Sequence, residues 1–164
     1  PEIKKVDELA KQMQLFFDTQ NEINVIDCFD VSHFQSQDIV GSCVRYNQGI
    51  PEKNKLRRFK IRSLKKQNDY AALQEIVQRR YKENDYPDMI LIDGGKGQLS
   101  AIESIIKNTP IISLAKKEEI IFSKKHPNGY KLNLHSEIGN LLISLRDYAH
   151  HFAIQYHRLR RKKL

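Results

Sequence analysis

The spacing of apolar and polar residues changes period several times along the chain, and each change marks a predicted element. Between Glu2 and about Thr19, Val6, Leu9, Ala10, Met13, Phe16 and Phe17 recur at helical spacing with lysines among them, predicting an amphipathic helix packed on a core. Asn24 to His33 (NVIDCFDVSH) is rich in β-forming residues and too short for a typical helix, which predicts a strand with Asp30 near its end. Ile39 to Tyr46 and Lys55 to Ile61 are two further β-prone runs, separated by Asn47, Gly49 and Pro51. With the first strand they predict an antiparallel meander of three strands.

Asp69 to Lys82 returns to helical spacing through Ala72, Leu73, Ile76 and Val77, with Asp69 or Asn68 as N-cap and Arg79 and Arg80 near the C-terminal end. Pro87 interrupts the chain before Asp88 to Asp93 (DMILID), a continuous apolar run suited to a strand buried on both faces. Gly94 and Gly95 lead into a helix from about Gln98 to Lys107, followed by a buried strand at Ile111 to Ala115. Glu119 to Phe122 and Tyr130 to Leu134 predict a hairpin turning at Pro127, Asn128 and Gly129. From Glu137 onward, Ile138, Leu141, Leu142, Leu145, Ala149, Phe152, Ala153 and Tyr156 trace one stripe of a long helix ending in RLRRKK. The order predicts a single α/β domain, a mixed five-stranded sheet with flanking helices in which an antiparallel meander joins parallel strands.

Composition adds a partner. Lysine and arginine outnumber acids 28 to 20, for a formal charge of +8, which suits a polyanion with regularly spaced phosphates. Cys28 and Cys43 lie in strand-like runs, where free cysteine acts as a small hydrophobe, so a reducing cytoplasm is expected. No apolar run approaches the ~18 residues of a membrane span, and no Cys/His cluster has zinc spacing. The start at Pro1 suggests a domain cut from a longer protein.

Candidate chemistry follows from where acids fall relative to strand ends. Asp30 and Asp93 close two strands; if those are neighbours, their carboxylates converge as hard oxygen ligands for magnesium or manganese, and otherwise they cap turns. Asp69 either caps its helix or joins that cluster. His150 and His157, seven residues apart, share a helix face and suit a metal ligand or a general acid or base; Asp147 either orients the His150 ring or faces solvent. The LIDGGKGQ run lacks ATP-binding loop spacing. Lys96 with the amides of Gly95 and Gly97 suits a DNA phosphate, and the alternative is a tight turn needing positive φ. Basic residues interleave with aromatics at Arg57 and Arg58, at Arg79 and Arg80, and at Arg158, Arg160 and Arg161, a pattern for salt-sensitive, sequence-tolerant phosphate contacts.

The motifs IDCFDVSHFQ, NDYAALQEIVQRRY, PDMILIDGGKGQL and LRDYAHHFAIQYHRLRR, in this order and at these intervals, closely resemble the C-terminal endonuclease domain of the UvrC family of excision nuclease subunits, and the likeness runs over essentially the whole chain. The resemblance implies an RNase H-like fold and a nuclease that cuts damaged double-stranded DNA 5′ to the lesion, acting after UvrA and UvrB in the UvrABC system. By motif it carries catalytic roles onto Asp30, Asp69, Asp93 and His150, and so selects His150 over His151 and His157. One or two Mg²⁺ or Mn²⁺ ions on Asp30, Asp93 and His150 are implied. The family's GIY-YIG nuclease, UvrB-binding segment and helix-hairpin-helix pair are not visible in these residues, so a monomeric catalytic fragment is expected. The rival readings are an inactive binding module and an RNA-directed nuclease of the same fold.

Overall fold

The computed structural model describes residues 2–33, 39–61 and 69–163. Its elements in chain order are α1 (Glu2–Phe17), β1 (Val25–His33), β2 (Ile39–Asn47), β3 (Ile50–Pro51), a 3₁₀ turn (Lys53–Lys55), β4 (Arg57–Lys60), α2 (Asp69–Arg80), β5 (Met89–Asp93), α3 (Lys96–Glu103), β6 (Ile111–Ala115), β7 (Ile120–Phe122), β8 (Tyr130–Lys131) and α4 (Glu137–Lys163). One sheet runs in the order β3-β2-β1-β5-β6-β7-β8, with β4 also paired to β2.

The expected five strands form the middle of this sheet, β4-β2-β1-β5-β6. Within them β1, β5 and β6 are mutually parallel, while β2 runs antiparallel to both of its neighbours, β1 and β4. Three short strands carry the sheet to eight: β3 on β2, which was not expected, and beyond β6 the predicted hairpin, β7 and β8, shorter than the expected runs. The third meander strand is shorter than Lys55 to Ile61 because Lys53–Lys55 is taken up by the 3₁₀ turn. α3 starts two residues before Gln98, since the Gln98 side-chain oxygen accepts the Gly95 amide at 3.0 Å and so closes the first turn.

Strand alternation sorts the core onto two faces. Ile26 and Cys28 on β1, with Met89 and Leu91 on β5, pack against Met13 and Phe17 of α1 and Leu142, Leu145 and Ala149 of α4. Phe29, Ile90 and Ile92 turn the other way, onto Ile76 and Val77 of α2 and Leu99 and Ile102 of α3. Helices on both faces explain why DMILID has no polar alternation until its last residue. That residue, Asp93, and Asp30 on β1 each follow their α4-facing neighbours by two positions, so both carboxylates fall on the α4 face.

The α2 side holds a polar group that the pattern did not flag. Asp27 is fully buried within an apolar strand, where Arg45 holds it in a two-pronged ion pair at 2.7 and 3.0 Å and the Tyr81 hydroxyl donates to it at 2.6 Å. Arg45 also reaches Asp85 at 3.0 Å, which ties β1, β2 and the segment after α2 together. Both cysteines are free and buried in the core. Among the described residues no helix is long and apolar enough to cross a membrane.

Candidate active site

β1 and β5 pair in parallel with Phe29 opposite Ile92, and one step further along brings Asp30 beside Asp93 at the carboxyl ends of the strands. The Asp93 side chain is 2% exposed, and among the described residues neither of its oxygens has a hydrogen-bond partner. Burial pushes its pKa from the usual 3.8 up to about 6; the Lys116 ammonium pulls it back and the Asp30 carboxylate pushes it further up. Lys116 stands 3.5 Å from Asp93 Oδ2.

Asp30 is nearly as enclosed, with 5% of its side chain exposed. Its Oδ2 accepts the Ser32 hydroxyl at 3.1 Å and lies 3.8 Å from Nδ1 of His150, whose ring is half exposed on α4. His150 occupies this position because Ala149 and Leu145 bury the adjacent face of the helix, leaving the next residue at the sheet's open end. Arg146, one turn earlier, is clamped by the Glu119 carboxylate, with Nη2 to Oε1 at 3.1 Å. Asp147 bonds Arg146 at 3.2 Å and is exposed, so the solvent-facing alternative holds for it.

Three of the four predicted catalytic residues are thus neighbours, and the fourth is engaged elsewhere. Val31 packs toward α2, and by strand alternation His33 points the same way. There the His33 Nε2 meets Asp69 Oδ1 at 2.8 Å. Asp69 is the first residue of α2, where a carboxylate favours the helix dipole. Asn68, the alternative cap, lies outside the described residues, as does the side chain of His157. Among the described residues no group of three or more His, Cys, Asp or Glu side chains is drawn together closely enough to hold a metal by itself.

The glycine loop has a different rationale from a positive-φ turn. Gly94, Gly95 and Gly97 all avoid positive φ, which among the described glycines is confined to Gly49 and Gly129. At Gly97 the backbone is closely approached by the Tyr70 ring, so that a Cβ there would lie 2.0 Å from the hydroxyl and the exposed tyrosine would have to swing away. Lys96 is exposed at the first turn of α3, its ammonium 5.6 Å from the centre of the Phe122 ring.

The basic candidates divide by exposure. Ser42 pairs with Asp30 on one side and Arg58 on the other, so Arg58 shares the carboxylates' face two strands away, and its guanidinium lies 3.8 Å above the Phe152 ring of α4. Arg57 is exposed and bonds the Asn54 and Leu56 carbonyls; Arg79 is partly exposed and donates to the Lys60 carbonyl. Arg80 corrects the expectation of a DNA contact: it is buried in the α2 core and directed at Asp85, 3.5 Å away, leaving no face for a phosphate. The side chains of Arg158, Arg160 and Arg161 lie outside the described residues.

Lys116, Ser32, Arg146 and Glu119 were missed by the sequence reasoning. Lys116 had a usable signal. It follows a strand parallel to β5 whose Leu114 pairs with Asp93, so the strand-end argument used for the two aspartates extends to it.

Residues 14–154 match the family model of the UvrC RNase H endonuclease domain. The chain belongs to this family. It is 42% identical over 149 residues to the UvrABC system protein C of Methanococcus maripaludis, a match that covers 85% of this chain and 28% of that protein. It is 44% identical over 163 residues to the protein of the same name in Dictyoglomus thermophilum, covering 93% of this chain and 27% of the other. The UvrC-type domain therefore spans less than a third of these relatives' length. Among solved structures, the endonuclease V of Ciona intestinalis in complex with inosine-containing DNA is similar with a TM-score of 0.47 and 18% identity, over 71% of this chain and 56% of that one. The fold is RNase H-like, a mixed α/β sheet enclosed by helices.

Asp93 provides the test of whether a divalent cation fits. A buried carboxylate with no hydrogen-bond donor, beside a second carboxylate, is costly as a bare pair. Two hard oxygen donors at an open strand end match the way Mg²⁺ is held, by one or two carboxylates with the remaining positions left to water and phosphate. The residues present fit such an ion.

Proposed function

We propose that this domain is a divalent-metal-dependent DNA endonuclease that makes the 5′ incision at a lesion in nucleotide excision repair. It would act in the cytoplasm as one catalytic unit of a longer UvrC-type protein on damaged double-stranded DNA, with UvrB as direct partner and UvrA upstream. The observation that carries the reading is the Asp30–Asp93 pair: adjacent, enclosed, and in Asp93 without a hydrogen-bond donor among the described residues. Family membership supports the nuclease class.

In this reading Asp30 and Asp93 hold Mg²⁺ or Mn²⁺. When bound there, such an ion would supply a water nucleophile at neutral pH and charge neutralisation for the scissile phosphate and the leaving 3′ oxygen. Ser32 keeps Asp30 oriented through its 3.1 Å hydrogen bond. His150, half exposed with Nδ1 toward Asp30, joins the ligand set or moves a proton between substrate and solvent. Asp69, the remaining acidic candidate for assisting an ion, is paired with His33 on the α2 side, apart from the two carboxylates. Arg58, Arg57, Arg79 and Lys96, with Arg158, Arg160 and Arg161 on α4, take the flanking phosphates without reading sequence.

The test is incision of a lesion-bearing duplex by the full-length protein with UvrA and UvrB. Asp30→Ala and Asp93→Ala are expected to abolish the 5′ cut with circular dichroism and unfolding cooperativity retained. Undiminished 5′ cutting by either variant refutes the assignment.

A further inference from the structure

We propose that Lys116 is the domain's built-in countercharge for Asp93: it competes with a divalent cation for that carboxylate, and once displaced it neutralises the phosphodiester at the site. The inference rests on the reading of Asp30 and Asp93 as a cation site and adds a residue to it. The Lys116 ammonium lies 3.5 Å from Asp93 Oδ2, and that carboxylate has no hydrogen-bond donor among the described residues. The neighbouring cation, Arg146, has its guanidinium taken by Glu119 and Asp147. Lys116 thus supplies the adjacent positive charge that is not already committed to another carboxylate in this cluster.

Its setting makes that charge transferable. With 63% of its side chain exposed, Lys116 rests against the carboxylate from the solvent side on a flexible four-carbon stem. The base of that stem is fixed: Ala115 closes β6, and three residues after Lys116 the Glu119–Arg146 clamp pins the turn to α4. An ammonium carries three donors and can leave one oxygen for another at little cost, and a divalent cation placed against the same carboxylate repels it. A cation arriving at Asp93 therefore releases Lys116 beside the position where a phosphate meets the ion.

The experiment titrates MnCl₂ calorimetrically into the wild-type domain, Lys116→Met and Lys116→Arg, and follows single-turnover cutting of a lesion duplex by the full-length variants at saturating Mn²⁺. Lys116→Met is expected to bind Mn²⁺ roughly three- to tenfold more tightly, since a competing charge is gone, yet to cut more slowly. Lys116→Arg is expected to return both quantities toward wild type. Equal or weaker Mn²⁺ binding by Lys116→Met overturns the countercharge role, and undiminished cutting overturns the phosphate role. No Mn²⁺ binding by the wild-type domain overturns the cation-site reading itself, and this inference with it.

Discussion

Asp93→Asn is expected to stabilise the metal-free domain while destroying its proposed site. Ionised Asp93 is a liability to the fold: enclosed and without a hydrogen-bond donor among the described residues, it has a pKa raised from 3.8 to about 6. The folded state therefore binds a proton more tightly than the unfolded chain does, so stability falls as pH rises from about 3.8 to about 6, and the full cost is present above that range. A gap of this size corresponds to ~3 kcal/mol. In a domain of this length that is a rise in Tm of roughly 6–12 °C for the asparagine variant at pH 7.5. Urea unfolding in chelator at pH 5, 6 and 7.5 measures it, and the advantage of Asp93→Asn should shrink as the pH falls. Adding Mg²⁺ at about a hundred times its Kd should then raise wild-type stability by ~2.7 kcal/mol and the variant's by much less. The reasoning is refuted if Asp93→Asn is less stable than wild type at pH 7.5, or if its advantage is the same at pH 5.

Further outcomes follow from contacts away from that carboxylate. Arg45→Leu strands the buried Asp27 charge and should cost about 3–5 kcal/mol by urea unfolding, whereas replacing Asp27 and Arg45 together with apolar residues should cost less; equal losses would contradict the pairing. Gly41→Ala places a methyl 2.0 Å from Ile76 Cδ1 and should cost about 1–3 kcal/mol, with a smaller penalty in an Ile76→Val background, as a double-mutant cycle would reveal. Arg58→Ala should flatten the salt dependence of duplex binding, measured by fluorescence anisotropy, by about one phosphate contact; an unchanged slope removes Arg58 from the interface. Mn²⁺ affinity of the wild-type domain should fall as pH drops below about 6, because Asp93 must give up its proton to bind the ion, and calorimetry at pH 5 and 7 would show the difference.

Much of the architecture was legible in advance because burial imposes a period. The stripe from Leu142 to Phe152 has a helical period, and the MILI run, short and bounded by Pro87 and Gly94, suits a buried strand; the structure has α4 and a doubly covered β5 there. The short edge strand β3 was not legible, since two residues carry no period, whereas the hairpin of β7 and β8 was marked by the turn residues between them. Arg80 shows the limit for charge: its position in the helix is readable, but whether it meets solvent or Asp85 depends on a segment that folds back from beyond the helix. Asp27 is the converse, an acid inside an apolar run whose tolerance depends on Arg45, 18 residues away.

For the candidate site, local sequence determined which acids close strands and which histidines share a face, because alternation and helical spacing are properties of neighbouring residues. Register was decided only in three dimensions. Pairing Phe29 with Ile92 brings Asp30 beside Asp93, α4 lays His150 against Asp30, Leu114 carries Lys116 to Asp93, and the packing of α2 on the sheet gives Asp69 to His33. Those are contacts between residues tens of positions apart, and their energies come from packing that no single segment encodes.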